Sequence, residues 1–234
     1  MLGLGTTLSK GGLATPSIVT DSLVLKHNYA AGGVVPVSDG AVSLNGTDEY
    51  IDLGSQANTT ADFTTTAWVY LTVSQVAPVI AYGDFLVRFA DATDLRVWGD
   101  VTGTSSTVTI DSVLNKWTHI AVSHDAGENK IYVNGVLVDT ETDSASSTDA
   151  RASYIGKYSA GYFEGYICNV GVWSRTMEIA EVKSIMNKNY AGLTSSEKTN
   201  LVSWWNLDEE TATDGTAGSG GVKDHEGSNH GTLT

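Results

Sequence analysis

Three kinds of residue in this chain could do chemistry: aromatic rings beside turn residues, clustered carboxylates, and histidines. Tyr82, Trp98, Tyr158 and Tyr162 each adjoin Gly or Ser. A ring projecting from such a loop can stack on the apolar face of a sugar. The same ring also packs well at a sandwich edge, and the two uses stay open at these four positions. The carboxylate clusters Asp139-Glu141-Asp143 and Asp208-Glu209-Glu210 fall in loop-like or edge segments, where solvation accounts for them better than a catalytic pair does. His225-Glu226 with His230 exceeds by one residue the spacing that puts two zinc ligands on one helix face, and Gly227-Ser228-Asn229 breaks any helix there. His119 and His124 fall on opposite faces of one strand. Cys168, the sole cysteine, sits in an apolar run and reads as a small core residue. Patterns for nucleotide binding or acyl transfer are absent from the sequence.

The composition narrows the classes further. Asp and Glu number 27 against 13 Lys and Arg, a formal charge of -14 with no basic run. This disfavours binding to a phosphate backbone, whose affinity comes largely from released counterions. With 25 Gly, 3 Pro and 41% hydrophobic residues, the chain reads as globular and turn-rich, and 234 residues suffice for one good core. No signal peptide or membrane span is legible at the N-terminus or elsewhere, so synthesis in the cytoplasm without classical export is expected.

The elements that must position these residues are mostly strands. Ile131 to Val133 and Val136 to Val138 flank Asn134-Gly135, a type I′ hairpin signal, and Trp117 to Ser123 precedes them to make a meander. A second hairpin-like unit is expected over Ala41 to Leu53 around Asn45-Gly46, with Val42 and Leu44 facing the core. Val34 to Val37 reads as an edge run. Further strands follow at Phe63 to Val73, Val79 to Tyr82, Phe85 to Phe89, Leu95 to Trp98, Val108 to Ile110, Ser153 to Gly156 and Phe163 to Trp173. Trp68, Trp117, Trp173 and Trp204 lie in strands and are expected in the core. Thr176 to Tyr190 predicts a helix with Ile179, Val182, Ile185 and Met186 on one stripe. Thr194-Ser195-Ser196-Glu197 has capping-box spacing and predicts a short helical turn. Residues 1 to 20 read as a Gly-, Ser- and Thr-rich arm, and residues 21 to 234 as one domain beginning near Leu23-Val24-Leu25.

Four stretches in order carry a resemblance: Leu44 to Gly54, Phe63 to Val69, the W-T-H-I-A-V strand with I-Y-V-N-G-V-L-V, and Phe163 to Val170. Together they resemble the laminin G-like domains of the concanavalin A-like lectin and glucanase superfamily. The resemblance implies an all-β, two-sheet antiparallel jelly-roll sandwich with one short α-helix. Leu201 to Glu209 and Lys223 to Leu233 resemble that family's opening strands, yet come last here. They could duplicate the opening element, complete a sandwich edge, or pair with another chain. Glucanases of the superfamily carry E-x-D-x-x-E on one strand face, which this chain lacks, so a non-enzymatic role is expected. Relatives often hold Ca²⁺ in a rim loop, and Asp48, Asp52, Asp84, Asp91, Asp94 and Asp100 offer oxygen ligands near turns. The sequence does not choose among them.

The whole chain also resembles single-domain virion proteins of marine bacteriophages, through its M-L-G-L-G start, I-V-T-D-S-L-V-L-K-H-N-Y and V-V-P-V-S-D-G. That resemblance implies a virion subunit (capsid decoration, fibre or tail appendage) made in the host cytoplasm. Its partners would be other virion proteins, copies of itself and cell-surface glycans, with no nucleic acid or membrane. The alternative expectation is a soluble carbohydrate-binding module, a lectin outside any particle.

Overall fold

Runs rich in β-branched and aromatic residues, such as F-T-T-T-A-W-V-Y-L, fold as strands because those side chains pack well on a pleated surface. In the computed structural model, which describes residues 34–57, 62–101, 105–125, 127–142, 149–208 and 221–234, the strands are β1 (Val42–Asn45), β2 (Ile51–Gln56), β3 (Phe63–Leu71), β4 (Ala77–Tyr82), β5 (Phe85–Asp91), β6 (Asp94–Trp98), β7 (Ser106–Thr109), β8 (Thr118–Asp125), β9 (Glu128–Val133), β10 (Val136–Thr142), β11 (Arg151–Ile155), β12 (Lys157–Tyr158), β13 (Gly161–Tyr162), β14 (Glu164–Trp173), β15 (Leu201–Trp205), β16 (Gly221–Val222) and β17 (Gly231–Leu233), with helix α1 over Ile179–Ile185. A seven-stranded sheet runs β1-β14-β3-β8-β9-β10, with β15 also on β14. An eight-stranded sheet runs β16-β17-β2-β11-β4-β5-β6-β7, and β12-β13 form a small ribbon. The strands pair antiparallel, giving the expected all-β two-sheet sandwich.

The core lies between the sheets. Phe63 of β3 stacks on Phe85 of β5 with centroids 4.3 Å apart, and Val69, Val87, Ile120, Ile155, Ile167 and Trp205 join the same buried cluster. The outer face of the seven-stranded sheet is covered too. Val182 and Ile185 of α1, with Met177 and Leu193, seal Tyr132, Trp173 and Trp204. Covering both faces explains why β8 is buried at seven of its eight positions.

Asn134 and Gly135 take φ of 50° and 72°, as the type I′ turn of the expected meander requires. Gly165, inside the Phe163 to Val170 stretch, has φ of 138°, and a Cβ there would lie 2.0 Å from the Tyr70 carbonyl oxygen. Only glycine fits.

Several expectations change. Asn45-Gly46 is not a hairpin turn: β1 pairs with β14 in one sheet while β2 pairs with β11 and β17 in the other, so this turn carries the chain between layers. The Asn45 side chain caps it, accepting from the N–H groups of Thr47 and Asp48 at 2.9 and 3.1 Å. Leu44 is nevertheless buried as expected. Val34 to Val37 form no strand. The helix is shorter than its apolar period, and Ile179 at its start is exposed. The short helical turn is present over residues 195–200, with the Lys198 N–H on the Thr194 carbonyl at 3.0 Å, and it opens on a true capping box: Thr194 N–H donates to Glu197 Oε2 at 2.7 Å and Glu197 N–H to Thr194 Oγ1 at 3.3 Å. The late family-like strands complete sandwich edges, β15 extending the β14 edge beside β1 and β17 capping β2. The arm, residues 1 to 20, and Leu23 to Leu25 lie outside the described residues.

Candidate ligand-binding face

Among the described residues no helix lies along β11, β4, β5 and β6 on the outer face of the eight-stranded sheet, and period-two alternation decides which side chains stand on it. On β5, Val87 and Phe89 point into the core and Arg88 points out; on β6, Leu95 and Val97 point in and Arg96 and Trp98 point out. Strand register then aligns them. Tyr154, Ala81, Leu86 and Trp98 form one row across four strands, and Pro78, Arg88 and Arg96 another. Three strand spacings separate Tyr154 from Trp98, about 14 Å. The β12-β13 ribbon leans over the near end: a Cβ on Gly161 would lie 3.4 Å from the Pro78 ring.

Two groups of rings and cations result. At the β11 end, Lys157 Nζ sits 3.8, 5.0 and 5.6 Å from the ring centroids of Tyr50, Tyr154 and Tyr162. At the β6 end, the Arg88 guanidinium lies 4.8 Å from the Trp98 ring centroid, an attraction between a cation and the negative ring face. Burial, and then the charge of Arg96, lower the Arg88 pKa, with the Tyr158 phenol acting the other way. Trp98, Tyr154, Tyr158 and Tyr162 are all partly exposed.

Of the four aromatic candidates, Trp98 therefore stands on the outer face of the eight-stranded sheet, Tyr158 on the ribbon bears on Arg88 beside it, and Tyr162 joins the Lys157 group at the other end. Tyr82 instead points into the core, is 2% exposed, packs against Phe85 and Trp205 and accepts a bond from Asn229 Nδ2 at 3.1 Å. Burial pushes its phenol up to about 12. It cannot stack on a ligand. Tyr50, Tyr154, Lys157, Arg88 and Arg96 were not singled out in the sequence. The alternation in F-L-V-R-F and D-L-R-V-W places each arginine on a non-core face, but only the register sets them opposite each other.

The other candidates have structural uses. Asp84 is buried against Arg151 and accepts from the Asp149 N–H at 3.1 Å. Asp52 and Asp91 hold their own turns through the N–H groups of Gly54 and Thr93; Asp48 accepts from Asn45 Nδ2 at 2.8 Å. Among the described residues no three His, Cys, Asp or Glu side chains are grouped to hold a metal. His230 Nδ1 accepts from the Asp224 N–H at 3.1 Å. His119, fully buried beside Trp68, has its pKa pushed down to about 3 by burial, and His124 bonds Asn129. Cys168 is buried, its thiol raised to about 12 chiefly by burial.

Two other surfaces compete. A cleft of about 480 Å³ opens between β7 and the β9-β10 hairpin. Thr109, Val133, Val136 and Val138 line it, with Lys116 its one cation and no aromatic ring. On the other sheet, Trp117 is not core as expected but partly exposed, meeting Tyr70 and Tyr166 at 5.7 and 6.5 Å. These rings pack on one another, and among the described residues no cation lies over them.

Residues 45–183 match the family model described as the concanavalin A-like lectin/glucanases superfamily. Among solved structures, a putative carbohydrate binding protein from Bacteroides ovatus is similar over 83% of this chain, at 22% identity and a TM-score of 0.61. This chain spans only 57% of that protein. The heptameric SAP-like pentraxin of Limulus polyphemus is similar over 66% of this chain and 84% of its own, at 14% identity and a TM-score of 0.54. The CBM40 of the Ruminococcus gnavus IT-sialidase, solved with α2,3-sialyllactose, is similar over 67% of this chain and all of its own, at 12% identity and a TM-score of 0.50. At such identities the likeness is one of fold. No curated protein matches the sequence.

Proposed function

We propose, on the premise that this chain belongs to the concanavalin A-like lectin/glucanase superfamily, that it is a non-enzymatic carbohydrate-binding module. Its ligand lies along the outer face of the eight-stranded sheet. One observation carries this reading: Trp98 and Tyr154 stand partly exposed on the outer face of the eight-stranded sheet, Tyr158 and Tyr162 stand partly exposed on the β12-β13 ribbon that leans over it, and cations lie against the rings at both ends. Sugar recognition needs apolar ring surface beside a few fixed polar groups, and this face supplies both. The carbohydrate binding named for the Bacteroides protein and the Ruminococcus module supports the same class of ligand. Catalysis would require two carboxylates facing each other across a glycosidic bond. The carboxylates described on or near this face, Asp52, Asp91 and Asp94, are engaged with Gly54, Thr93 and Arg96.

The virion role expected from the opening stretches rests largely on residues outside the described ones, and the sandwich argues neither for nor against it. The module reading needs no particle. On an oligosaccharide array the protein should bind saturably, and Trp98→Ala or Tyr158→Ala should remove that binding without lowering the melting temperature by more than a few degrees. Retained binding in both variants would move the site elsewhere.

A further inference from the structure

The chain has four arginines, Arg88, Arg96, Arg151 and Arg175, and two of them are internally satisfied. Arg175 grips Glu181 through both terminal nitrogens and donates to the carbonyl of Thr199 at 2.8 Å. Arg151 pairs with the buried Asp84. Arg88 and Arg96 differ. They stand directly opposite each other on paired strands, an arrangement that like charges disfavour. Among the described residues the Nε atoms of both are buried without a hydrogen-bond partner. Arg96 reaches Asp94 at 3.4 Å, whereas Arg88, among the described residues, has no carboxylate within salt-bridge distance. A half-buried guanidinium normally has an anionic or carbonyl partner.

We propose that Arg88 and Arg96 bind the anionic group, a carboxylate or a sulfate ester, of an acidic carbohydrate lying on this face. The inference rests on the carbohydrate-binding reading and names its ligand class. A planar guanidinium matches carboxylate and sulfate geometry with two parallel N–H donors, and Trp98 beneath Arg88 limits how far that fork can turn. The anion would also relieve the repulsion between the two arginines. A net charge of -14 repels a long polyanion, so the fitting ligand carries isolated charges among neutral sugars, and the rings of Trp98, Tyr158 and Tyr154 take up the uncharged remainder.

The test uses matched probes on the full chain: a galacturonic acid trisaccharide and its methyl ester, and a galactose trisaccharide with and without a single 6-sulfate. Arginine Nε–Hε and tryptophan indole signals are followed by ¹⁵N-resolved NMR. The arginine spectrum contains four side chains, so two act as internal controls. The expected result is movement of Arg88 and Arg96 with a charged probe, still Arg151 and Arg175, and little change with the neutral partner. Arg88→Gln then weakens the charged probe roughly tenfold or more, as loss of a charged hydrogen-bonding group does, and weakens the neutral probe by a clearly smaller factor; equal weakening of both would overturn the anion assignment. Response to the acid alone or to the sulfate alone names the group. If the Trp98 indole moves equally with charged and neutral probes while all four arginines stay still, the carbohydrate reading stands and this inference falls. If no probe moves Trp98 or any arginine, both are overturned.

Discussion

The two outer faces of the sandwich start from the same alternation and end differently. On the seven-stranded sheet, Trp173 and Trp204 meet edge to face with centroids 5.8 Å apart, sealed under α1 and the turn after it, and Trp173 Nε1 donates to the Glu197 carbonyl at 2.7 Å. On the eight-stranded sheet, Trp98 stays partly exposed with Arg88 over its ring. Large rings on a sheet face become core when an element folds fully over them and stay partly exposed when the cover is incomplete. Residue type alone does not separate the two cases.

That contrast can be broken by mutation. Trp173→Ala should cost ~3–5 kcal/mol, the range for emptying a buried aromatic site, read as a lower midpoint in urea unfolding. Trp98→Ala should change stability by under ~1 kcal/mol, as exposed positions do. Equal losses would mean that the open face is structural after all.

Acid provides an intermediate test. Burial works against the ionised form of Glu197, but the Lys188 ammonium, the Thr194 N–H and the hydroxyls of Ser184 and Thr194 outweigh it and hold the carboxyl down to about 2. Lys188 Nζ donates to it at 2.6 Å, tying the turn to the segment just after α1. A carboxyl with a folded pKa below its ordinary value of 4.5 contributes stability that is present above pH 4.5 and lost as pH falls towards 2. The loss should reach ~2–3 kcal/mol. Glu197→Gln should be less stable at pH 7 and show a flatter decline below pH 4.5; an unchanged acid profile would show that the clamp contributes nothing.

Much of the fold was legible because its signals are local. Asn134-Gly135 announces its own turn, and the T-S-S-E spacing at Thr194 announces its own cap. Asn45-Gly46 carries the same dipeptide and misleads, because whether the flanking strands pair with each other or with β14 and β11 is decided far along the chain. Trp117 misleads for a similar reason: it sits just before β8, at the margin of the small cluster of Trp68, Cys168 and Met186, and is only partly covered there. Of the proposed site, the rings beside Gly and Ser led to Trp98, Tyr158 and Tyr162, which the structure leaves partly exposed, while Tyr82 shares that signature and turns inward to pair with Asn229. The arginines stayed hidden, since a lone outward Arg on each of two strands becomes a pair only through register.

The most direct test of the central claim asks which open aromatic face holds the sugar. Calorimetric titration of a glycan that binds the unaltered protein would be repeated with Trp98→Ala and with Trp117→Ala, each first shown to be folded. The account predicts that binding is lost in Trp98→Ala and kept in Trp117→Ala. Loss in Trp117→Ala with full affinity in Trp98→Ala would contradict it and place the ligand on the seven-stranded sheet beside Tyr70 and Tyr166.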